Sequence, residues 1–351
     1  MGRCSMPSFN TCASCFGDAS PIGYQTEEPQ VGACTLCANG TDDVWPATAW
    51  ADPFQQVTDL YRPTDQSGSP LHVRIQDDWS LFASHRTPQQ NRSFLEAVFP
   101  DGHQLLDAVA VEPVNGTNVD NYSRVWDDFA NDLVKRNRFF PSGAIDPLVL
   151  EHVIGRSLRR IHAGTRFYRG RISPDGSAIP RGKMGMPPAI WATGGRANPP
   201  GIPHLYLAFH EDTCIAEIRP STHSTLTLAA FETTDEVTFL DLSAIQPLNP
   251  FGLEDDEFSQ LYSYKLLKRL GLELSKPVRR SDNGVEYAAS QYICEFVKSI
   301  GIEGIKYASS VHPGGQNLVL FNDKKVQVTG KLTTYEIVGA TYATKAKTTT
   351  R

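Results

Sequence analysis

Two rhythms of apolar residues divide the chain. From about residue 38 to 150 they recur at helical spacing, as in WPATAWADPFQQVTDLYRP and in DNYSRVWDDFANDLVKRNRFF, where Trp126, Phe129 and Leu133 stand at i, i+3 and i+7 on one face. This half is expected to be mainly helical, with loops at Ser67-Gly68-Ser69-Pro70 and Pro141-Ser142-Gly143. PLVLEHVIGRSLRRIHAG continues the pattern as a linker helix that ends at Gly164. Beyond Gly164 the runs shorten. TRFYRGRI, HLYLAF, TLTLAAF, EVTFLDL, GIKYAS and NLVLF are rich in β-branched and aromatic residues and bounded by Gly, Pro, Asp or Ser, which predicts strands. EDTCIAEI opens with acidic residues and predicts a short helix. FSQLYSYKLLKRLG and VEYAASQYICEFVKSIG predict longer ones, closed by Gly271 and Gly301. The expected class is α+β, with a mixed β core in the C-terminal part.

Composition narrows the function classes. At 351 residues and 40% hydrophobic content the chain can bury a sizeable core, and its length favours about two domains. No apolar window approaches the roughly 18 residues of a membrane span, and MGRCSMPSFNTCASC lacks the apolar core of a secretory leader, so a cytoplasmic seat without a membrane partner is expected. A net charge of −6 argues against wholesale nucleic-acid binding.

Five of seven cysteines crowd the first 37 residues. Cys12-x-x-Cys15 and Cys34-x-x-Cys37 are separated by a spacing that reads as two knuckles closing one tetrahedral structural Zn2+ site, with no ligand position left open. Cys4 is either a substitute ligand or a free thiol, and Cys214 and Cys294, on apolar faces, read as small buried hydrophobes.

Several polar residues are not needed by the sheet pattern. Arg169 interrupts FYRGRI, Arg196 sits in the turn GRANPPG, Tyr206 lies in HLYLAF, Glu217 in CIAEIRP, and Ser309 and Ser310 end IKYASS. Guanidinium forks suit phosphate oxygens, an aromatic ring suits a base, and a carboxylate suits a ribose hydroxyl or positive charge on a sugar. Each residue also has an ordinary reading: the arginines in ion pairs with Glu211 or Glu217, Tyr206 in the core, Glu217 on an exposed helix position, Ser309 as a turn residue.

In this order FYRGR, GRANPPGIPHLYLAFHEDTCIAEIRP and GIKYASSVHPGGQNLVLF resemble the RES domain, over roughly residues 160–325. That family includes toxins of bacterial toxin–antitoxin pairs that deplete NAD+, with a fold similar to ADP-ribosyltransferases. The N-terminal part resembles the HEPN/RES N-terminal region of larger members. Together with the cysteine spacing and the polar tail, the resemblance gives the expected divisions: a zinc module over 1–40, a helical HEPN/RES-N-terminal-like domain over 41–160, a RES catalytic domain over 161–330 and a C-terminal strand and tail over 331–351. It implies catalytic roles for Arg169, Arg196, Glu217 and Ser309, with Ser310 competing for the serine position, and substrate-binding roles for Tyr168, Tyr206, Asn198 and Ser310. The resemblance places an aromatic where this chain has Ala197, so base stacking there is either weaker or supplied by Trp191. NAD+ is the implied substrate, inorganic phosphate a co-substrate, and an antitoxin or neighbouring-gene protein, or a second copy of the chain, the implied partner. Two other readings stand beside it: a HEPN-type ribonuclease using Arg156 and His162, whose spacing resembles that family's motif, and a non-catalytic zinc-containing binding module.

Overall fold

The computed structural model describes residues 9–339 apart from 18–19, 38–40, 66–67, 115–120, 142–146, 244, 246–247, 253–256 and 277–283, so Cys4 lies outside the described residues. The chain forms two compact units, Met1–Arg124 with Gln246–Leu266 and Val125–Ile245 with Leu267–Arg351. These bounds differ from the divisions drawn on the sequence, because a segment late in the chain packs with the first unit and because residues 125–160 go with the second.

In the first unit, β1 (Asn10–Cys12), β2 (Gln30–Ala33) and β3 (Thr41–Pro46) form an antiparallel sheet in the order β1-β3-β2. There follow α1 (Ala51–Thr58), β4 (Tyr61–Pro63), α2 (Leu71–Trp79), α3 (Pro88–Val98), α4 (Gln104–Asp107) and β5 (Val111–Pro113), with β4 paired to β5. Phe16, Trp50, Phe54, Phe82 and Phe94 build an aromatic core in which Phe54 and Phe94 meet edge to face at 5.2 Å. Thr87 and Gln90 close a reciprocal capping box at the start of α3.

The second unit is built on one mixed sheet. Its chain runs through α5 (Asn121–Lys135), α6 (Pro147–Arg156), β6 (Leu158–Ile161), β7 (Arg166–Ile172), β8 (Leu205–Ala208), α7 (Glu211–Ile218), β9 (Thr225–Thr233) and β10 (Val237–Asp241). Then come α8 (Glu257–Ser275), of which the part from Leu267 onward belongs to this unit, α9 (Ala288–Ser299), β11 (Gly304–Ala308), β12 (Gln316–Leu320) and β13 (Val326–Glu336). The strand order is β13-β9-β7-β8-β12-β11-β10-β6, parallel at β10–β11 and antiparallel elsewhere. One face buries Phe167, Leu207, Phe231, Leu318 and Leu320. Strand alternation turns the intervening residues to the other face.

Two sequence expectations are corrected here. The linker helix stops at Arg156, and Leu158–Ile161 is instead an edge strand paired antiparallel with β10. That edge offers a backbone ladder that a continued helix would forgo, and Arg159 and Arg160, both exposed, suit an edge strand. Gly271 does not end its helix, which runs to Ser275. A Cβ at Gly271 would stand 3.0 Å from the Leu242 carbonyl oxygen, so glycine serves close packing there rather than termination.

Candidate active site

Register lays down the floor of the site. Tyr168 pairs with Ala208, Ala208 with Asn317 and Asn317 with Tyr307, so one row across β7, β8, β12 and β11 turns its side chains to the face opposite the core. This row underlies a cavity of about 550 Å³ that Arg169, Arg196, Tyr206 and Glu217 also line. Four scattered motif segments are thereby brought to one place.

Between β7 and β8 the ladder has a single paired position, Tyr168 with Ala208. Beyond it Arg169 crosses the gap and donates Nη1 to the Tyr206 carbonyl at 2.8 Å. Its buried Nε has no hydrogen-bond partner among the described residues. Burial, with Arg171 nearby, lowers the Arg169 pKa to about 10, which leaves it charged at neutral pH. The Coulombic influence of Cys214 and Tyr206 opposes that shift.

Arg196 is presented by a braced loop. Asn198, 3% exposed, donates Nδ2 to the carbonyls of Thr193, Pro199 and Ile202 and accepts the Tyr206 hydroxyl at 2.6 Å. Gly195 makes that contact feasible, since a Cβ there would lie 2.7 Å from the Tyr206 oxygen. From α9, Ser290 donates to the Arg196 carbonyl at 2.7 Å, and Gln291 to the carbonyls of Gly195 and Asn198. The Arg196 guanidinium lies 4.5 Å from the centre of the Tyr287 ring and donates to the Glu273 carbonyl at 3.3 Å. It also borders a second cavity of about 400 Å³ with Trp126, Arg269 and Lys276.

Glu217 stands in the last turn of α7, an amphipathic helix whose Cys214 is buried against the sheet. Its Oε1 accepts the Ser309 hydroxyl and the Asn317 amide, each at 2.7 Å. This contact belongs to Ser309 rather than Ser310, which is exposed; neither serine itself borders the cavity, and Ser309 reaches it through Glu217.

Some expected residues stand elsewhere. Asn198 braces the loop from behind, outside the cavity lining. The Tyr206 ring lines the cavity while its hydroxyl is committed to Asn198, and burial pushes that hydroxyl's pKa up. Trp191 is 75% exposed and does not border the cavity, so it supplies no stacking surface there. The His162 side chain is 86% exposed on the loop after the β6 edge strand, and Arg156 ends α6, so the two residues of the ribonuclease reading do not share one helix. Cys214, read as an inert hydrophobe, is buried but also borders the cavity, with burial pushing its thiol up to about 12. Asn317 was missed. Its signal is an amide inside the apolar run NLVLF, buried to 4% exposure yet turned to a carboxylate.

In the first unit the Sγ atoms of Cys12, Cys15, Cys34 and Cys37 lie within 4.8 Å of one another. Their separations of 3.4, 3.5 and 3.9 Å approach the about 3.8 Å between sulfurs of a tetrahedron with roughly 2.3 Å metal–sulfur bonds. Burial raises the Cys12 thiol to about 11 and pushes Cys15 up as well. Burial opposes ionisation of Cys34 too, but backbone N–H donors from Cys37, Leu36 and Cys12 bring it down to about 7. Four such sulfurs suit a dication, which would remove the mutual repulsion of their thiolates.

Residues 164–336 match the family model described as RES domain. A chain in the crystal structure of the M. tuberculosis MbcT–MbcA toxin–antitoxin complex is similar over 54% of this chain and 93% of its own, at 18% identity and a TM-score of 0.33. No curated protein matches the chain.

Proposed function

With residues 164–336 matching the RES domain model, we propose that this chain is an NAD+-consuming enzyme that cleaves the bond between nicotinamide and ribose. One observation carries the reading: a single cavity joins the Glu217 carboxylate to two guanidiniums, Arg169 and Arg196. As the glycosidic bond breaks, its electron pair passes to the nicotinamide nitrogen, which becomes neutral, and positive charge develops on the ribose. Glu217 stabilises that charge, and no acid is needed for so good a leaving group. A lone pair of inorganic phosphate or of water then forms the new bond to the ribose carbon, giving ADP-ribose 1″-phosphate or ADP-ribose, with the acceptor's proton released to solvent. Arg169 and Arg196 hold the pyrophosphate or the incoming phosphate.

The family resemblance extends the reading to a growth-arresting toxin of the cytoplasm, restrained by an antitoxin. No helix among the described residues is long and apolar enough to cross a membrane. The four-cysteine cluster would hold a structural Zn2+, which organises its own unit and takes no part in the reaction.

The test is incubation of the purified chain with NAD+, with and without phosphate, and mass-spectrometric identification of the products. Nicotinamide release is expected, and Glu217→Ala is expected to lower it at least about 100-fold. A wild-type chain that releases none, or an undiminished variant, overturns the reading.

A further inference from the structure

The Glu217 carboxylate is held unevenly. Oε1 accepts two hydrogen bonds of 2.7 Å, from Ser309 and Asn317, whereas Oε2 accepts none from the described residues. Ser309 can give its proton only one way: its oxygen already accepts the backbone N–H groups of His312 at 3.1 Å and Val311 at 3.3 Å. A carboxylate only accepts, so it is the NH2 group of the Asn317 amide that faces it.

The two donors differ in how firmly they are held. Ser309 belongs to a loop, while Asn317 lies within β12 between Ala208 and Tyr307, in the middle of the sheet. Glu217 itself is exposed at the end of an eight-residue helix, where its side chain has little else to fix its rotamer. Buried side-chain amides most often bond to backbone or water. This one is turned to an exposed carboxylate in the cavity.

We infer that Asn317 is a positioning residue which, together with Ser309, ties down Oε1 of Glu217 and so leaves Oε2 as the oxygen presented to the ribose carbon. The inference rests on the reading of this cavity as an NAD+-cleaving centre.

Asn317→Asp tests it with almost no change of shape. The donor becomes a second carboxylate facing Oε1, and two carboxylates so close share a proton. The expected result is a kcat for nicotinamide release about 10- to 100-fold lower, a KM for NAD+ within about twofold of wild type, and an acid limb of the kcat–pH profile moved to higher pH. Ser309→Ala removes the other donor from a loop, and is expected to lower kcat without raising KM. A folded Asn317→Asp chain with wild-type kcat and pH profile overturns the inference, and if Glu217→Ala is inactive in the same assay, the NAD+ reading survives it. Should Asn317→Asp not fold, Ser309→Ala decides: a loss confined to kcat supports the positioning of Oε1, and a wild-type kcat overturns it. A wild-type chain that releases no nicotinamide overturns the reading and this inference with it.

Discussion

The hydroxyl of Tyr206 offers a sharp test of how the Arg196 loop is held. Tyr206→Phe deletes one oxygen and leaves the Asn198 Oδ1 without the 2.6 Å bond it accepts. Asn198 is 3% exposed, so solvent does not readily replace that donor, and an orphaned buried acceptor costs about 1–3 kcal/mol. For a folding unit of about 150–250 residues each kcal/mol moves the melting temperature by about 2–4 °C, which puts the expected fall between about 2 and 12 °C. Calorimetry on the full chain reads this directly. A double-mutant cycle with Asn198→Ala should show the two losses to be less than additive, because each removes the same bond. The KM for NAD+ should rise in step, since this loop carries Arg196. A Tyr206→Phe chain melting within about 1 °C of wild type, with no coupling to Asn198, would refute the brace.

Further perturbations follow from the same geometry. Arg196→Ala should raise the KM for NAD+ about tenfold or more, with the second unit still folded by circular dichroism. In the other unit Arg86 is buried between Phe82 and Phe94 and donates to the Cys15 and Gln90 carbonyls. Burial lowers its pKa to about 10, so it remains a cation beside the four sulfurs. Arg86→Met should weaken metal binding about 10-fold or more in a chelator competition, and unchanged affinity would remove Arg86 from the charge balance of that cluster. His204 is buried, and burial together with Lys298 pushes its pKa down to about 4, from an ordinary value of 6.5. Its unfolded form therefore binds the proton more tightly, so its contribution to stability is complete above about pH 6.5 and is lost as the pH falls toward 4. Thermal melts across that range should show this slope, and His204→Leu should flatten it.

The strands of the second unit were legible because their apolar runs are short, β-branched and sharply bounded, and β7 to β12 stand where those runs fall. The four-cysteine cluster was legible from spacing alone, since two Cys-x-x-Cys turns each aim a pair of sulfurs at one point. Arg169, Arg196 and Glu217 stood out as charges in apolar or Gly/Pro surroundings, and the sheet gathers them into one cavity. What stayed hidden depended on partners distant in the chain. Gly271 looks like a helix terminator until Leu242 is seen against it. Leu158–Ile161 reads as helix until the free edge of β10 claims it. Asn317 looks like a buried amide in a strand, and only the fold shows that its partner lies 100 positions earlier, at Glu217. Trp191 was an inference from an absent aromatic, and its position on the surface shows that chemistry lost at one place in a loop need not be restored at the nearest ring.

Ser290 and Gln291 hold the Arg196 loop by its backbone from α9, a helix that does not itself line the larger cavity. A substitution at α9 could therefore loosen the loop that presents Arg196 while Arg169, Arg196 and Glu217 themselves stayed unchanged. The identity of the residues that line the cavity would then say nothing about whether the loop is held, and the serine at position 290 is where that hold begins.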